Sequence, residues 1–294
     1  MAAVPPPSAQ GAGSSARLLM SCPDGPGIVA AVSGFLFGRG ANIIASDQFS
    51  THPERGTFFM RTVFFLPELE QGREEFESDF EALARRFSMS WRISYPHRRR
   101  RVALMASKAD HCLLDVLWRS RRGELEMETV CVISNHELLR DEVEGLGVPY
   151  VYIPLTRETK REAEGRALEV LAGEVDLVVL ARYMQILSPE FLAQVGCPVV
   201  NIHHSFLPAF AGAEPYRHAY ERGVKLIGAT AHFVTEELDE GPIIEQDVQR
   251  VGHDYTLEDL ERVGRDLERV VLARALRSVL DDRVLVHDGR TIVF

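Results

Sequence analysis

The sequence lacks the features of a membrane, secreted or nucleic-acid-binding protein. No apolar run approaches the roughly 18 residues of a membrane span, and the first residues carry neither the basic nor the apolar segment of a signal peptide. The net charge of -10 disfavours binding to nucleic acid, which relies on neutralising phosphates. We therefore expect a soluble cytoplasmic protein that contacts neither membrane nor nucleic acid.

Cysteine is scarce, and basic residues rarely cluster. Cys22, Cys112, Cys131 and Cys197 lie far apart and form no C-x-x-C pair, so reduced thiols are expected rather than disulfides or a thiolate metal site. The one basic run, residues 97–101, is interpreted as a solvated linker between domains rather than a targeting signal.

The 294 residues suffice for two domains. Residues 1–15 are rich in Pro, Gly, Ala and Ser and are predicted to be a disordered tail. Residues 16–96 alternate strand-like and helix-like patterns in the order β-α-β-β-α-β, which predicts a ferredoxin-like domain. In its first helix Ile28, Val32 and Leu36 recur at helical spacing, and Gly40 stands where a helix-ending glycine belongs.

The stretch "CPDGPGIVAAVSGFLFGRGANI" resembles the ACT domain, a regulatory module that typically pairs with a copy of itself to bind an amino acid. A Gly/Pro turn before a helix offers backbone N–H groups to a carboxylate. The resemblance implies an effector site at Asp24, Gly25, Gly27 and Asn42, and a homo-oligomer, dimer or tetramer. A domain that only dimerises is the alternative.

Residues 102–294 alternate apolar strands with helices, which predicts a Rossmann-like domain with a largely parallel sheet covered on both faces. Ligands of such sheets bind beyond the carboxyl ends of the strands. A long helix is predicted from Thr256 to about Leu280, with "TLED" as its cap.

Polar side chains follow one of these strands in "NIHHSFLPAF", which begins at residue 201. Asn201 and His203 are two apart in an extended segment and so face one side, and Asp239 stands in a later acidic turn. An amide can donate to an oxyanion, an imidazole can move a proton, and a carboxylate can orient the imidazole or a water. A zinc site and a hydrogen-bonded loop are the alternatives for this segment.

The zinc hypothesis rests on four histidines, with no cysteine or glutamate at a familiar ligand spacing. They are His203, His204, His218 and His232.

The segments "NIHHSFLPAF", "GVKLIGATAHFV", "LDEGPII" and "ARYMQILSPEF" together resemble the folate-dependent formyltransferase family. The resemblance implies that Asn201, His203 and Asp239 form the catalytic trio and that no metal or cofactor is needed. Further residues are implied to bind folate or to support the trio. The folate-binding residues are Met184, Gln185, Ile186, Leu187, Glu236, Glu237 and Leu238, and the supporting residues are His232, Thr230 and His204.

The formyl acceptor distinguishes the members of this family. After the first strand of the second domain, residues 106–117 contain no glycine and include Asp110, which disfavours a phosphate-bearing acceptor. The acidic charge and the strand-like end "RVLVHDGRTIVF" disfavour tRNA. Glu214 departs from the family pattern, which would have a neutral or basic residue there.

An ACT domain ahead of the formyltransferase domain resembles the deformylase branch of the family, in which water is the acceptor. This resemblance implies a hydrolase that converts 10-formyltetrahydrofolate to formate and tetrahydrofolate and supplies formate for purine biosynthesis. Transfer of the formyl group to a small amine is the alternative. In the implied mechanism Asn201 and protonated His203 polarise the formyl oxygen, water held by Asp239 attacks, and His203 protonates the departing N10.

Overall fold

The computed structural model describes residues 15–67, 69, 71–95, 98–209 and 215–294. Most of the predicted tail, the start of the predicted linker and Glu214 lie outside these residues. The chain divides into two compact units, and the division falls between Arg99 and Arg100. None of the helices in the described part of the chain combines the length and apolar character that a membrane span needs.

In the part of the first unit that the structure describes, four strands and two helices follow the predicted order. They are β1 (Ser15–Pro23), α1 (Ile28–Gly38), β2 (Asn42–Ser50), β3 (Thr57–Phe65), α2 (Arg73–Arg86) and β4 (Ser90–Ser94). The strands pair antiparallel in the order β2-β3-β1-β4, so the ferredoxin-like prediction is confirmed.

Helix α1 ends as the sequence predicts. Gly40 has a positive φ of 75°, its N–H donates to the carbonyl of Phe37, and the N–H of Ala41 donates to the carbonyl of Leu36. This is a Schellman motif, which requires a left-handed residue that glycine adopts without strain.

Within its described ranges, the second unit contains nine strands and six helices. They are β5 (Arg100–Ala106), α3 (His111–Arg121), β6 (Met127–Ser134), α4 (Arg140–Gly145), β7 (Tyr150–Tyr152), α5 (Lys160–Leu171), β8 (Leu177–Leu180), α6 (Pro189–Gln194), β9 (Val199–His203), α7 (Pro215–Glu221), β10 (Leu226–Phe233), β11 (Ile243–Arg250), α8 (Leu257–Leu280), β12 (Val284–His287) and β13 (Arg290–Val293).

Seven of these strands form one sheet in the order β11-β10-β9-β8-β5-β6-β7. Strands β5 to β9 are parallel, whereas β10 and β11 add antiparallel at one edge. Successive residues of β5 pack into different cores, with Val102 and Leu104 in one and Ala103 and Met105 in the other. The largely parallel sheet with both faces covered is therefore confirmed.

Helix α8 covers one of these faces and begins with the predicted cap. The Thr256 side chain accepts a hydrogen bond from the Asp259 N–H, and the Asp259 carboxylate accepts one from the Thr256 N–H. This reciprocal pair is a capping box. Leu260, Leu267 and Val271 from its apolar stripe are buried.

Three boundaries differ from the sequence prediction. Strand β5 begins at Arg100, so Arg100 and Arg101 belong to the sheet and not to a linker. The Arg101 N–H donates to the Asp176 carboxylate over 2.8 Å, which extends the strand. The segment "HELLRDEVEGLG" predicts a helix from residue 136, whereas α4 begins at Arg140. The segment "VDLVVLARY" predicts a strand to residue 183, whereas β8 ends at Leu180, shortly before Arg182 with its positive φ of 64°.

Candidate active site

A cavity of about 270 Å³ lies at the carboxyl ends of β8 and β9. In parallel sheets these ends gather ligand-binding groups where the strand order reverses, and β5 and β8 are neighbours at such a point. The cavity is lined by Leu180, Arg182, Tyr183, Met184, Gln185, Ile186, Leu187, Asn201, Ile202, His203, His204, His232, Val234, Thr235, Glu236, Leu238 and Asp239.

The structure brings Asn201, His203 and Asp239 to this one cavity. Asn201 and His203 both belong to β9, two residues apart. His203 Nδ1 lies 3.2 Å from Asp239 Oδ1, and the two side chains are 7% and 13% exposed. The imidazole is therefore held by a carboxylate from a loop 36 positions further along the chain.

The loop that carries Asp239 reaches His203 through two unusual backbone positions. Asp239 has a positive φ of 58°, a region in which Asp is more common than most residues. At Gly241 an added Cβ would lie 1.7 Å from the carbonyl oxygen of Phe233. Only glycine permits this close approach, so the loop packs tightly against the end of β10.

The His203–Asp239 contact defines which nitrogen of His203 is available for chemistry. The hydrogen bond from His203 is the main cause that lowers the pKa of Asp239, which is therefore ionised at neutral pH. An ionised carboxylate accepts, so Nδ1 carries the proton and donates it. Nε2 of His203 is buried and has no hydrogen-bond partner among the described residues.

His232 supports Asn201 from the neighbouring strand. The two residues lie opposite each other in the antiparallel pairing of β9 and β10, with His232 Nε2 3.2 Å from Asn201 Nδ2. His232 Nδ1 donates to the carbonyl of Phe233 over 2.9 Å. Burial lowers the pKa of His232, so the ring is neutral and Nε2 accepts from the Asn201 amide. The carboxamide nitrogen of Asn201 is thereby assigned, and one of its N–H groups is used.

His204 and Thr230 occupy different positions around the trio. His204 is 9% exposed, its ring lies 6.0 Å from that of Tyr216, and burial lowers its pKa to about 3. Thr230 accepts from the Leu207 N–H and donates to the carbonyl of Ser205, so it braces the segment that follows His203. These contacts of His204 and Thr230 do not involve Asn201 or Asp239.

The folate-binding residues implied by the sequence fall mainly on the cavity wall. Met184, Gln185, Ile186, Leu187, Glu236 and Leu238 line it, but Glu237 is not part of the lining. Glu237 instead accepts a hydrogen bond from the Thr235 hydroxyl through its carbonyl oxygen, within the loop. Arg182, Tyr183, Val234 and Thr235 line the cavity without having been predicted, although they flank predicted residues in sequence.

A second cavity of about 430 Å³ shares Arg182, Met184 and His204 with the first. Its wall holds the buried carboxylate of Glu268, which lies 2.8 Å from His111 Nε2 and accepts from the Tyr216 hydroxyl over 2.6 Å. Sequence reasoning missed these residues, because they are far apart in the chain and share no motif.

The structure contains a cluster of possible metal ligands, but its residues differ from the four histidines of the zinc hypothesis. Within the described ranges, the ligand atoms of His111, Cys112 and Glu268 lie within 4.8 Å of one another, and the four histidines considered above do not form such a group. Arg182 Nε lies 3.3 Å from the Glu268 carboxylate. A guanidinium repels a cation at that carboxylate, so we interpret the cluster as a buried ion-paired network.

The residues of the predicted effector site are not all neighbours within the chain. Asp24, Gly25 and Gly27 form the turn that enters α1, and Gly27 has a positive φ of 90°. The shared pairing with β3 shows that Asn42 and Ser50 mark opposite ends of β2, and the Ser50 hydroxyl bonds to Asp24. Eight strand rises separate Asn42 from that end by roughly 26 Å. Within one chain Asn42 therefore lies apart from Asp24, and its place in the effector site stays a prediction.

In comparison with known protein families, each of the two units matches one family. Residues 100–276 match the family described as formyl transferase, and residues 16–81 match the ACT domain. The larger domain is thus a formyl transferase domain, which covers more than half of the chain.

Relatives that match nearly the whole chain identify the family more closely. Formyltetrahydrofolate deformylase of Mycobacterium tuberculosis is 61% identical over 95% of this chain and 90% of its own, and that of Bacillus subtilis is 51% identical over 95% and 93%. The crystal structure of a formyltetrahydrofolate deformylase from Pseudomonas syringae superposes with a TM-score of 0.90 at 49% identity, over 95% of this chain and 94% of that one. The chain belongs to the formyltetrahydrofolate deformylase family.

The buried His204 makes stability depend on pH. Its pKa is lowered from 6.5 to about 3, so below pH 6.5 the unfolded state binds a proton that the folded state does not. Between pH 7 and pH 5 this difference removes about 2 kcal/mol of unfolding free energy. We expect the unfolding free energy of His204→Gln, measured by urea unfolding, to fall by about 2 kcal/mol less than that of the parent protein between pH 7 and pH 5.

The matched control is His218→Gln, which changes an exposed histidine of α7. It controls for the replacement of a histidine by glutamine at an exposed position. Equal losses in the parent and in His204→Gln would contradict the assignment of His204 as a buried neutral side chain.

Proposed function

We propose that this chain hydrolyses 10-formyltetrahydrofolate to formate and tetrahydrofolate, with Asn201, His203 and Asp239 as its catalytic residues. The observation that carries this proposal is the state of His203, whose Nδ1–H is held by Asp239 while Nε2 has no partner among the described residues. A histidine so oriented can take up and release a proton at one defined atom. The formate released would supply one-carbon units for purine biosynthesis.

The geometry favours a different role for Asp239 from the one that the sequence implied. The lowered pKa of Asp239 makes it a weak base, and its carboxylate is engaged with His203. We therefore assign Asp239 to orienting His203 and stabilising its protonated form, rather than to holding the water. His203 Nε2 is then the general base that takes a proton from the attacking water.

The proposed steps balance in atoms and charge. The water oxygen bonds to the formyl carbon as His203 Nε2 takes the water proton, and negative charge develops on the formyl oxygen. The Asn201 amide N–H donates to that oxygen, which stabilises the tetrahedral intermediate. The bond from carbon to N10 then breaks, N10 receives the proton from His203, and formic acid leaves and ionises to formate. This chemistry requires no metal ion and no cofactor.

The side chains that line the cavity support the proposal that the substrate carries a flat aromatic ring. Met184, Ile186 and Leu238 are large apolar side chains that stay 55%, 60% and 57% exposed while lining the cavity. Apolar side chains around a concave site, together with a few polar groups, are typical of sites for ring-containing ligands. We assign the segment from Met184 to Leu187 to binding the pteridine ring.

We also propose an amino-acid effector site in the first unit, at the turn formed by Asp24, Gly25 and Gly27. The N-terminus of α1 has no side-chain cap, so its backbone N–H groups suit a carboxylate. The Asp24 side chain beside this turn suits the ammonium group of the same ligand. This proposal predicts that at least one of the twenty amino acids raises the melting temperature of the parent protein but not that of Asp24→Ala. A screen in which none does so would contradict it.

A homo-oligomer is the proposed assembly. Strand β2 lies at the edge of the four-stranded sheet and exposes Ile43, Ile44 and Phe49. An exposed apolar edge strand is a template for pairing with another strand, and a second copy of the chain is the proposed partner. The proposed compartment is the cytoplasm, since all four cysteines are free.

The function is tested by incubating the purified protein with 10-formyltetrahydrofolate and no amine. We expect formate and tetrahydrofolate in equal amounts, and we expect His203→Ala to abolish this turnover because Nε2 is lost. Tetrahydrofolate that forms only when a small amine is added, together with the formyl derivative of that amine and without formate, would identify a transferase instead. His218→Ala serves as the control, because this exposed histidine lies outside the cavity lining.

Asn201 is tested by replacement with alanine, which removes the donor to the developing oxyanion. Loss of such a donor lowers kcat by about a hundredfold or more. We expect this loss in Asn201→Ala with KM little changed, as measured by steady-state formate release. A decrease of less than about tenfold would be incompatible with the oxyanion role.

A further inference from the structure

The segment proposed to bind the pteridine ring follows β8 and belongs to no regular element between Ala181 and Ser188. Met184 and Ile186 within it are more than half exposed, so side-chain packing does little to fix their positions. Leu187 is buried at the end of the segment, and two partly buried polar contacts hold the rest, one near each end.

The first contact is made by Ser107, which follows β5 at the centre of the sheet. Its hydroxyl accepts a hydrogen bond from the Met184 N–H over 3.0 Å and donates to Asn135 Oδ1 over 2.8 Å. Ser107 is 3% exposed and Asn135 8%. Because the hydroxyl proton is committed to Asn135, an oxygen lone pair faces the Met184 N–H.

The backbone around Ser107 strengthens this contact. The Ser107 N–H donates to the carbonyl of Arg182 over 3.3 Å, and the Ala181 N–H donates to the carbonyl of Met105 over 2.8 Å. Between these bonds Arg182 has a positive φ, a conformation that is uncommon for a residue other than glycine. The chain therefore turns sharply here and resumes its course at Met184, where Ser107 holds it.

The second contact is made by Glu164 of α5, whose side chain is 11% exposed. Its carboxylate accepts from the Ser188 N–H over 2.9 Å and from the Ser188 hydroxyl over 2.6 Å. Ser188 in turn caps α6 by accepting from the Phe191 N–H. The far end of the segment is thereby tied to a helix.

We propose that Ser107 and Glu164 are positioning residues that hold the segment from Met184 to Leu187 in its ligand-binding shape. Neither residue lines the cavity, so both act through the segment rather than on the substrate. A preformed segment loses less conformational freedom when a ligand binds, which raises affinity without a new contact. The inference rests on the proposed function, because it takes this segment to be the pteridine contact.

The test compares Ser107→Ala with Ser134→Ala, a matched control. Ser134 is a fully buried serine that ends β6, and its hydroxyl accepts from the His136 N–H, away from the segment. We expect Ser107→Ala to raise both KM for formate release and the dissociation constant of tetrahydrofolate about tenfold. Its kcat should stay within about threefold of the parent value, since the catalytic trio belongs to other elements.

Ser134→Ala should leave KM and the dissociation constant unchanged even if its melting temperature falls as far as that of Ser107→Ala. Glu164→Gln is the second variant and should also raise KM, which keeps the inference testable if Ser107→Ala does not fold. Equal KM values for Ser107→Ala and the parent, or a lowered kcat with KM unchanged, would overturn the inference. A parent protein that binds tetrahydrofolate but releases no formate would refute the proposed function alone, because the dissociation constants still test the positioning role.

Discussion

The hydrogen bond between His203 and Asp239 is the interaction on which the site depends. It fixes the protonated nitrogen of His203, keeps the Asp239 carboxylate ionised, and leaves Nε2 without a hydrogen-bond partner among the described residues. The two residues come from a sheet strand and from a loop, so the bond also ties that loop to the sheet. Asp239 and Gly241 allow the tie through a left-handed backbone and a contact too close for a side chain.

Burial gives the surrounding histidines a role that their ordinary chemistry would not suggest. An exposed histidine changes charge near neutral pH, whereas burial lowers the pKa of both His204 and His232. A neutral His232 can accept from Asn201, which a protonated ring could not do. The neutral ring of His232 on β10 thus determines how the side-chain amide of Asn201 on β9 is oriented.

The architecture of the large domain explains why these groups meet. The carboxyl ends of parallel strands β5, β8 and β9 lie on the same side of the sheet, so Ser107 and Arg182, which follow β5 and β8, and His203, which ends β9, are gathered there. Antiparallel β10 then places His232 directly opposite Asn201. The proposed catalytic groups and the proposed ligand-binding segment are therefore supported by adjacent strands of one sheet, as precise positioning requires.

Much of this protein could be predicted from the sequence because local patterns determine it. Apolar periodicity located the helices and strands, the capping residues of α8 marked its start, and Gly40 marked the end of α1. The spacing of Asn201 and His203 placed them on one face of a strand, and the motifs around them indicated the family.

Only the tertiary structure decided which side chains touch. Asp239 bonds to His203, the Glu268 network brings together residues from α3, the Arg182 turn and α8, and Ser107 reaches Met184 across 77 positions. Asn42 is a second example, because the sequence alone does not show that it lies at the opposite end of β2 from the turn that contains Asp24. Periodicity fixes which face a residue occupies, because it follows from backbone geometry. Contacts between distant segments depend on how whole elements pack, and that information is absent from any short stretch of sequence.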